Sequence, residues 1–174
     1  MPETLQIQHH LPLALRPWRG SDLTALVQAA NHPELSKLLP HPYTERHALE
    51  WLAEAAGTTR DLFWAITVDD VPVGGLGFRR MQWSHEGVGV VGYWLTPAQW
   101  KHGIVPACLS AAAAYAFTAT ELRRLEAGVY SSNPASQRVL EKAGFTREAV
   151  LKQRIVARSE VLDEIIYVHL KTEA

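Results

Sequence analysis

Apolar residues recur along this chain with two different spacings, and the order of the two restricts the fold more than any other feature. A spacing of three and four residues predicts helices, whereas β-branched and aromatic residues in alternation predict strands. The predicted order is a strand, two helices, three strands, a helix, a strand, a helix and two final strands. This order predicts an α/β (α+β) fold with a mixed sheet.

The first half is predicted to begin with a strand from Leu13 to Trp18. Ser21 and Thr44 are suited to cap the two helices that follow, and Gly57 suits the end of the second helix. The predicted apolar faces are Leu23, Leu26, Val27 and Ala30 in the first helix and Ala48, Leu49, Leu52 and Ala55 in the second. The strands "LFWAITV", "VPVGGLGFRRMQW" and "GVGVVGYWL" then form a meander, which Pro97 ends because proline has no N–H for a ladder.

The second half contains a long helix from about Gly103 to Phe117 and a short helix that closes on Gly144. Between them, the strand "RLEAGVY" places Leu125, Ala127 and Val129 on one face. The last two strands are predicted to form a hairpin across "ARS".

Composition limits the partners that this protein can bind. With 174 residues, 47% of them hydrophobic, the chain is expected to form one domain over residues 1–174. A formal net charge of −1 gives no general attraction for polyanions, so neither nucleic acid nor a membrane is an expected partner. We find no signal-peptide pattern and expect a cytoplasmic protein.

The lone Cys108 is expected to pack as a small hydrophobe, and the scattered histidines predict no metal site.

The stretch "WKHGIVPACLSAAAAYAF", from Trp100 to Phe117, allows two interpretations. The first turn of a helix has amides without helical partners, and Gly103 would let a phosphate oxygen approach them while Lys101 adds charge. Alternatively, Gly103 only helps the chain turn into a helix. A motif with one glycine does not decide between the two.

Two long segments carry a resemblance that favours the first interpretation. The segment "YWLTPAQWKHGIVPACLSAAAAYAF", followed by "LRRLEAGVYSSNPASQRVLEKAGFTREAVLKQ", closely resembles the GNAT superfamily of acyl-CoA N-acyltransferases. Upstream, "HPYTERHALEWL" and "WAITVDDVPVGGLGF" resemble its branch of ribosomal-protein N-terminal (Rim-type) acetyltransferases. The resemblance implies a mostly antiparallel sheet with a central V-shaped splay, flanked by helices on both faces.

The resemblance also implies acetyl-CoA (coenzyme A) as cosubstrate. The main chain of Trp94, Leu95 and Thr96 would bond the pantetheine arm. The diphosphate would lie on the loop formed by Trp100, Lys101, His102, Gly103, Ile104 and Val105. The loop departs from the family pattern, since Val105 is not small and would either narrow the loop or point into the core, and Pro106 removes one N–H.

For catalysis, the resemblance places Asn133 on the pantetheine arm and Ser136 near the sulfur, where its hydroxyl would protonate the leaving thiolate. Both residues have a local alternative, because Asn133 also suits a helix N-cap and Ser136 the first helical turn. The usual carboxylate base is not visible, since its family positions hold Val90 and Ile155. The acceptor-site candidates are His41, Tyr43, His85 and Glu86.

The function expected from these residues is direct transfer of an acetyl group from acetyl-CoA to a primary amine in a ternary complex. The acceptor is a protein N-terminal α-amine, a small-molecule amine or an antibiotic, and the sequence does not choose among them. The alternative is a coenzyme A-binding module with little or no turnover, which would act as a sensor or partner subunit. The protein is expected to be a monomer or a homodimer.

Overall fold

The computed structural model describes residues 2–35, 42–157 and 160–172, in which one eight-stranded sheet forms the centre of the molecule. The strands are β1 (Leu5–Ile7), β2 (Leu13–Pro17), β3 (Leu62–Val68), β4 (Val71–Arg80), β5 (Val88–Leu95), β6 (Arg124–Tyr130), β7 (Thr146–Ala157) and β8 (Glu160–Leu170). Their order across the sheet is β1-β2-β3-β4-β5-β6-β8-β7. Every neighbouring pair is antiparallel except β5 and β6, which are parallel.

Helices cover both faces of this sheet, as the resemblance implied. The helices are α1 (Leu23–Ala30), α2 (Glu45–Gly57), α3 (Ile104–Ala119) and α4 (Pro134–Lys142). The strand β3 is buried on both sides: Phe63 and Ala65 pack with α1 and α2, while Trp64 and Ile66 pack in the core that contains α3. No helix in the described ranges is both long and apolar enough to cross a membrane.

The predicted splay lies between β5 and β6. Their pairing is confined to Val88–Val90 on one strand and Arg124–Glu126 on the other. Beyond that point β5 continues to Leu95 and β6 to Tyr130, while each keeps its outer neighbour, β4 or β8. A V-shaped gap therefore opens from Val90 and Glu126 toward the carboxyl ends of both strands.

Most local predictions are confirmed, two are wrong and one strand was missed. The Thr44 side chain accepts the His47 N–H at the start of α2, and Gly144 has a positive φ of 87° where α4 ends. Ser21 is not the cap of α1. Instead the Asp22 carboxylate accepts the Arg19 N–H at 2.9 Å and pairs with the buried Arg16 guanidinium at 2.8 Å, which fixes the turn before the helix.

The other errors concern β1 and one helix position. Strand β1 was not predicted, because three residues are too short to show a periodicity. Leu49 was predicted on the apolar face of α2 but is 54% exposed, whereas Ala48, Leu52 and Ala55 are buried. The buried stripe of α2 is therefore narrower than its sequence indicated.

Candidate active site

The open edge of β5 is the first part of the site. Alternate residues of an antiparallel strand direct their N–H and C=O groups to the partner strand. The Thr96 N–H donates to the Val73 carbonyl at 2.8 Å, and the register places Trp94 and Gly92 in the same hydrogen-bonded set. The remaining residues of β5 direct their main-chain groups toward the gap, and these are Val91, Tyr93 and Leu95.

This register changes which residues can bond a ligand in the gap. Of Trp94, Leu95 and Thr96, it brings only the main-chain groups of Leu95 to the open edge, and it adds those of Tyr93. The Leu95 carbonyl already accepts the Trp100 indole N–H at 2.8 Å, so its N–H is the group left for a ligand. The sequence did not show this alternation because the hydrogen-bonded set depends on pairing with β4.

The loop before α3 forms the second part. Gly103 is the N-cap of α3 with φ 75°, and Lys101 also has a positive φ of 67°. The first bond into the helix runs from the Ala107 N–H to the Gly103 carbonyl at 3.3 Å. The N–H groups of Ile104 and Val105 therefore precede the helical ladder and can point outward to a ligand.

The side chains of this loop separate into two groups. Ile104 and Val105 are 1% and 7% exposed and pack in the core beside α3, so Val105 does not narrow the loop. Trp100, Lys101 and His102 are exposed at the surface. Pro106 is the third helical residue and supplies no N–H, as the sequence indicated.

His9 is a neighbour of this loop that sequence reasoning missed. Its Nδ1 accepts the Leu11 N–H at 3.2 Å, which leaves Nε2 protonated to donate to the His102 carbonyl at 2.9 Å. The imidazole thus fixes the loop from the turn between β1 and β2. Nothing in the sequence indicates this contact, because 93 residues separate the two partners.

Ser136 and Tyr93 form a hydrogen-bonded pair at the start of α4. The two hydroxyl oxygens are 2.6 Å apart, and the Tyr93 hydroxyl also lies 3.2 Å from the Ser136 carbonyl. Burial raises the pKa of Tyr93 to about 12, against the opposing effect of the Ser136 hydrogen bond, so the phenol stays protonated at neutral pH. Sequence reasoning selected Ser136 but missed Tyr93, although it lies in the "GYW" motif.

Asn133 is the N-cap of α4. Its Oδ1 accepts the Ser136 N–H at 3.1 Å, so the capping role that the sequence allowed is present. The cap uses only the side-chain oxygen, and the amide NH₂ group can still donate to a ligand.

A cavity of about 380 Å³ lies between α1, α2 and the strands β4 and β5. It is mainly apolar, and its lining includes Leu26, Trp51, Phe63, Val90, Gly92 and Trp94. A Cβ added to Gly92 would meet nothing within 4 Å, because that position faces open space. The cavity also reaches Tyr93, so it meets the open edge of β5 beside the Ser136 pair.

The polar groups of this cavity are few. Arg79 lies on the Phe63 ring at 5.2 Å from its centroid and pairs with Glu54 at 2.6 Å. Tyr43 is also part of the lining, and Asn31 bonds its N–H at 2.9 Å and its carbonyl at 2.7 Å. Burial, followed by the nearby charge of Glu50, raises the pKa of Tyr43.

The other acceptor candidates are not brought to this cavity. His85 and Glu86 lie in the turn between β4 and β5, before Val88, and therefore at the closed end of the V. His41 lies outside the described residues. In the part of the chain that the structure describes, no group of three or more His, Cys, Asp and Glu side chains could hold a metal ion.

Known proteins resemble this chain in sequence and in fold. A family profile described as an acetyltransferase (GNAT) domain matches residues 13–146. The chain is 32% identical over 110 residues to YoaA, an uncharacterized N-acetyltransferase of Bacillus subtilis (strain 168), a match that covers 62% of each protein. The chain thus spans less than two thirds of that relative.

Two solved structures have the same fold. RimJ of Mycobacterium smegmatis, in complex with a CoA disulfide, is 26% identical with a TM-score of 0.81, over 97% of this chain and 88% of that one. RimL, a ribosomal L7/L12 α-N-protein acetyltransferase in complex with coenzyme A, is 22% identical with a TM-score of 0.83, over 97% and 98%. The splayed sheet and the profile match agree, and this chain belongs to the GNAT acetyltransferase family.

Proposed function

We propose that this protein transfers the acetyl group of acetyl-CoA to a primary amine by direct attack in a ternary complex. The observation that carries the proposal is the separation of β5 from β6 after Val90 and Glu126. It leaves a strand edge that runs from the vertex of the V to the loop before α3. An extended ligand can bind such an edge as an added strand.

The residues around the gap fit coenzyme A. The N–H groups of Ile104 and Val105 and the charge of Lys101 suit a diphosphate at the start of α3. The main chain of Tyr93 and Leu95 suits the pantetheine amides, since residues two apart on one strand face the same edge. The CoA disulfide bound by RimJ, the 26% identical neighbour, supports this choice of ligand.

The proposed chemistry takes place at the gap between Ser136 and the cavity. An amine entering through the cavity reaches the strand edge at Gly92 and Tyr93, and Ser136 approaches from the side of α4. The amine nitrogen bonds to the acetyl carbon and loses a proton as the carbon–sulfur bond breaks, and Ser136 donates a proton to the departing thiolate. Because the transfer is direct, positioning contributes much of the rate, on the order of 7–11 kcal/mol in well-aligned reactions.

The acceptor that we propose is an N-terminal α-amine attached to an apolar residue. The cavity suits an apolar side chain, and none of the described residues lining it is acidic, so it offers no partner for a polycationic acceptor. An α-amine with a pKa of about 7.7–8.0 is partly neutral at physiological pH, whereas a lysine side chain near 10.4 is almost fully charged. The α-amine therefore requires less help from the enzyme to become nucleophilic.

The test measures release of free thiol from acetyl-CoA, with mass spectrometry of the products. The acceptor panel contains peptides with an apolar or an acidic first residue, a peptide blocked at its N-terminus with an internal lysine, an arylalkylamine and spermidine. We expect turnover with apolar N-termini and little with the blocked peptide or spermidine. Preference for the arylalkylamine over every peptide would reassign the acceptor to small molecules.

The competing function is a binding module without turnover. Calorimetry with coenzyme A and desulfo-coenzyme A, run beside the thiol assay, separates the two. Tight binding with no thiol release from any amine would replace the enzyme proposal with the binding module.

A further inference from the structure

Two glycines face each other across the gap just beyond its vertex. Val90 and Glu126 are the last paired residues of β5 and β6, so Gly92 and Gly128 lie at the same level two residues farther along. The surroundings of the two glycines differ. Gly92 adjoins the open space of the cavity, whereas a Cβ added to Gly128 would overlap Oε1 of Glu164.

Glu164 lies on the acceptor side of the sheet. Leu125, Ala127 and Val129 are buried against α3 and α4, so the alternate residues of β6, Gly128 among them, face the opposite side. Glu164 pairs directly with Tyr130 of β6 and therefore shares that side. Its carboxylate lies over the Gly128 backbone. The side chain of any larger residue at position 128 would occupy the place of that carboxylate.

We propose that Glu164 is the general base of the reaction, an inference that rests on the proposed acetyl transfer. Ser136 lies on the α4 side of the gap and Glu164 on the acceptor side, so the two groups can act on opposite sides of the same thioester. The acceptor amine, arriving from the cavity past Gly92, meets the carboxylate next to the reacting carbon.

Atoms and protons balance in this step. The amine nitrogen forms a bond to the acetyl carbon, the carbon–sulfur bond breaks, and its electron pair stays on sulfur. Glu164 accepts the proton that the attacking nitrogen loses, and Ser136 supplies the proton that sulfur gains. Exchange with solvent then restores both side chains, and the products are an amide and free thiol.

The Glu164 carboxylate has a charged neighbour on β7 and a paired neighbour on β6. Arg154 of β7 is 3.8 Å from Oε2 and is itself exposed, and Tyr130 of β6 is the paired neighbour. Glu126 of β6 is another carboxylate on this side of the sheet, at the vertex. Arg124 binds Glu126 at 2.5 Å and also binds Glu148, so Glu126 is held by a guanidinium and makes a suitable control.

The experiment compares Glu164→Gln with Glu126→Gln in rapid-quench single turnovers at saturating acetyl-CoA, from pH 6.5 to 9.5. Wild-type turnover is established first, so a failure of the proposed function is recognised separately. We expect Glu164→Gln to slow the chemical step by roughly 10²–10⁴-fold at pH 7, with coenzyme A affinity unchanged. The defect should shrink as pH rises, because hydroxide from solvent can then take the proton that the attacking nitrogen loses.

Gly128→Ala tests the same position without removing the carboxylate. The added Cβ meets only the end of a flexible side chain, so the strand should keep its structure while Glu164 is displaced. We expect Gly128→Ala to slow the chemical step at least tenfold. The double variant that carries both Gly128→Ala and Glu164→Gln should be no slower than Glu164→Gln alone. Unchanged single-turnover rates in a folded Glu164→Gln, or an equal loss in Glu126→Gln, would overturn the proposal. So would a pH-independent defect confined to the acceptor KM.

Discussion

Ser136 is the side chain on which the proposed chemistry depends most. Its main-chain N–H, not its hydroxyl, takes part in the cap with Asn133, so Ser136→Ala should leave the start of α4 intact. We expect the chemical rate to fall by about 10²–10⁴-fold with little change in coenzyme A affinity. Rapid-quench measurement at saturating acetyl-CoA provides the test. A stability loss of about 0.5–2 kcal/mol with an intact rate would mean that Ser136 only supports the helix.

Tyr93 is expected to act through Ser136 as a positioning residue. Its hydroxyl lies 2.6 Å from the Ser136 oxygen and stays protonated, so it can hold the serine hydroxyl oriented toward the gap. Tyr93→Phe should lower kcat roughly tenfold while the acceptor KM stays near wild type, and in a Ser136→Ala background it should have little further effect. Independent, additive losses in the double variant would contradict this coupling.

Cys108 is expected to take no part in the reaction. It is fully buried, and burial raises its pKa to about 12, so it forms no thiolate at neutral pH. Cys108→Ala should retain turnover and lose about 0.5–1.5 kcal/mol of unfolding free energy, as for one deleted methylene in a core. Steady-state kinetics and urea unfolding measure both quantities. An acetylated Cys108 peptide isolated during turnover would disprove direct transfer.

At the scale of an element, we expect the start of α3 to contribute to coenzyme A affinity. Gly103 has φ 75°, which a β-branched residue adopts only under strain, and the loop conformation that exposes the amides depends on it. Gly103→Val should weaken coenzyme A binding at least tenfold, about 1.4 kcal/mol, in calorimetry.

Gly57→Val is the matched control for that substitution. Gly57 ends α2, and a Cβ there meets nothing within 4 Å. The control should bind coenzyme A like the wild type. Unchanged affinity in a folded Gly103→Val would remove the loop from the cofactor site.

For the whole molecule, His169 should make stability depend on pH. Its ring packs edge-on against Phe117 and Phe145 at 5.5 and 5.1 Å, and no described group bonds its buried Nδ1. Burial lowers the pKa of His169 below its usual 6.5. The His169 ring therefore binds a proton more readily in the unfolded chain than in the native state. The contribution of neutral His169 to the free energy of unfolding is fully present above about pH 6.5. It is lost as pH decreases toward the pKa of His169 in the native state.

His169→Leu should reduce this acid sensitivity. Urea unfolding between pH 7.5 and 5 should show that the wild type loses unfolding free energy more steeply than His169→Leu. The difference in slope should be up to about 1.4 kcal/mol per pH unit. His85→Gln, at an exposed histidine, should follow the wild-type curve. Parallel curves for wild type and His169→Leu would show that another group governs the acid sensitivity.

The sequence by itself determined the order of the elements and their local ends. Thr44 caps α2, Gly103 precedes α3 and Gly144 ends α4, because caps and positive φ values depend on a few neighbouring residues. The long motifs around the gap also indicated the family. Even Val105, whose direction the sequence left open, obeys the helical spacing that buries Ile104 and Cys108.

Only the tertiary structure decided how residues far apart in the chain meet. The depth of the splay, the Tyr93 hydroxyl on Ser136 and the Glu164 carboxylate over Gly128 all follow from strand register and from the packing of α4. Register is set by the combined burial of whole strands, and a shift of one residue would turn each side chain to the other face. The sequence therefore contained the side chains that we propose to react, but the assembled sheet decided which of them lie beside the gap.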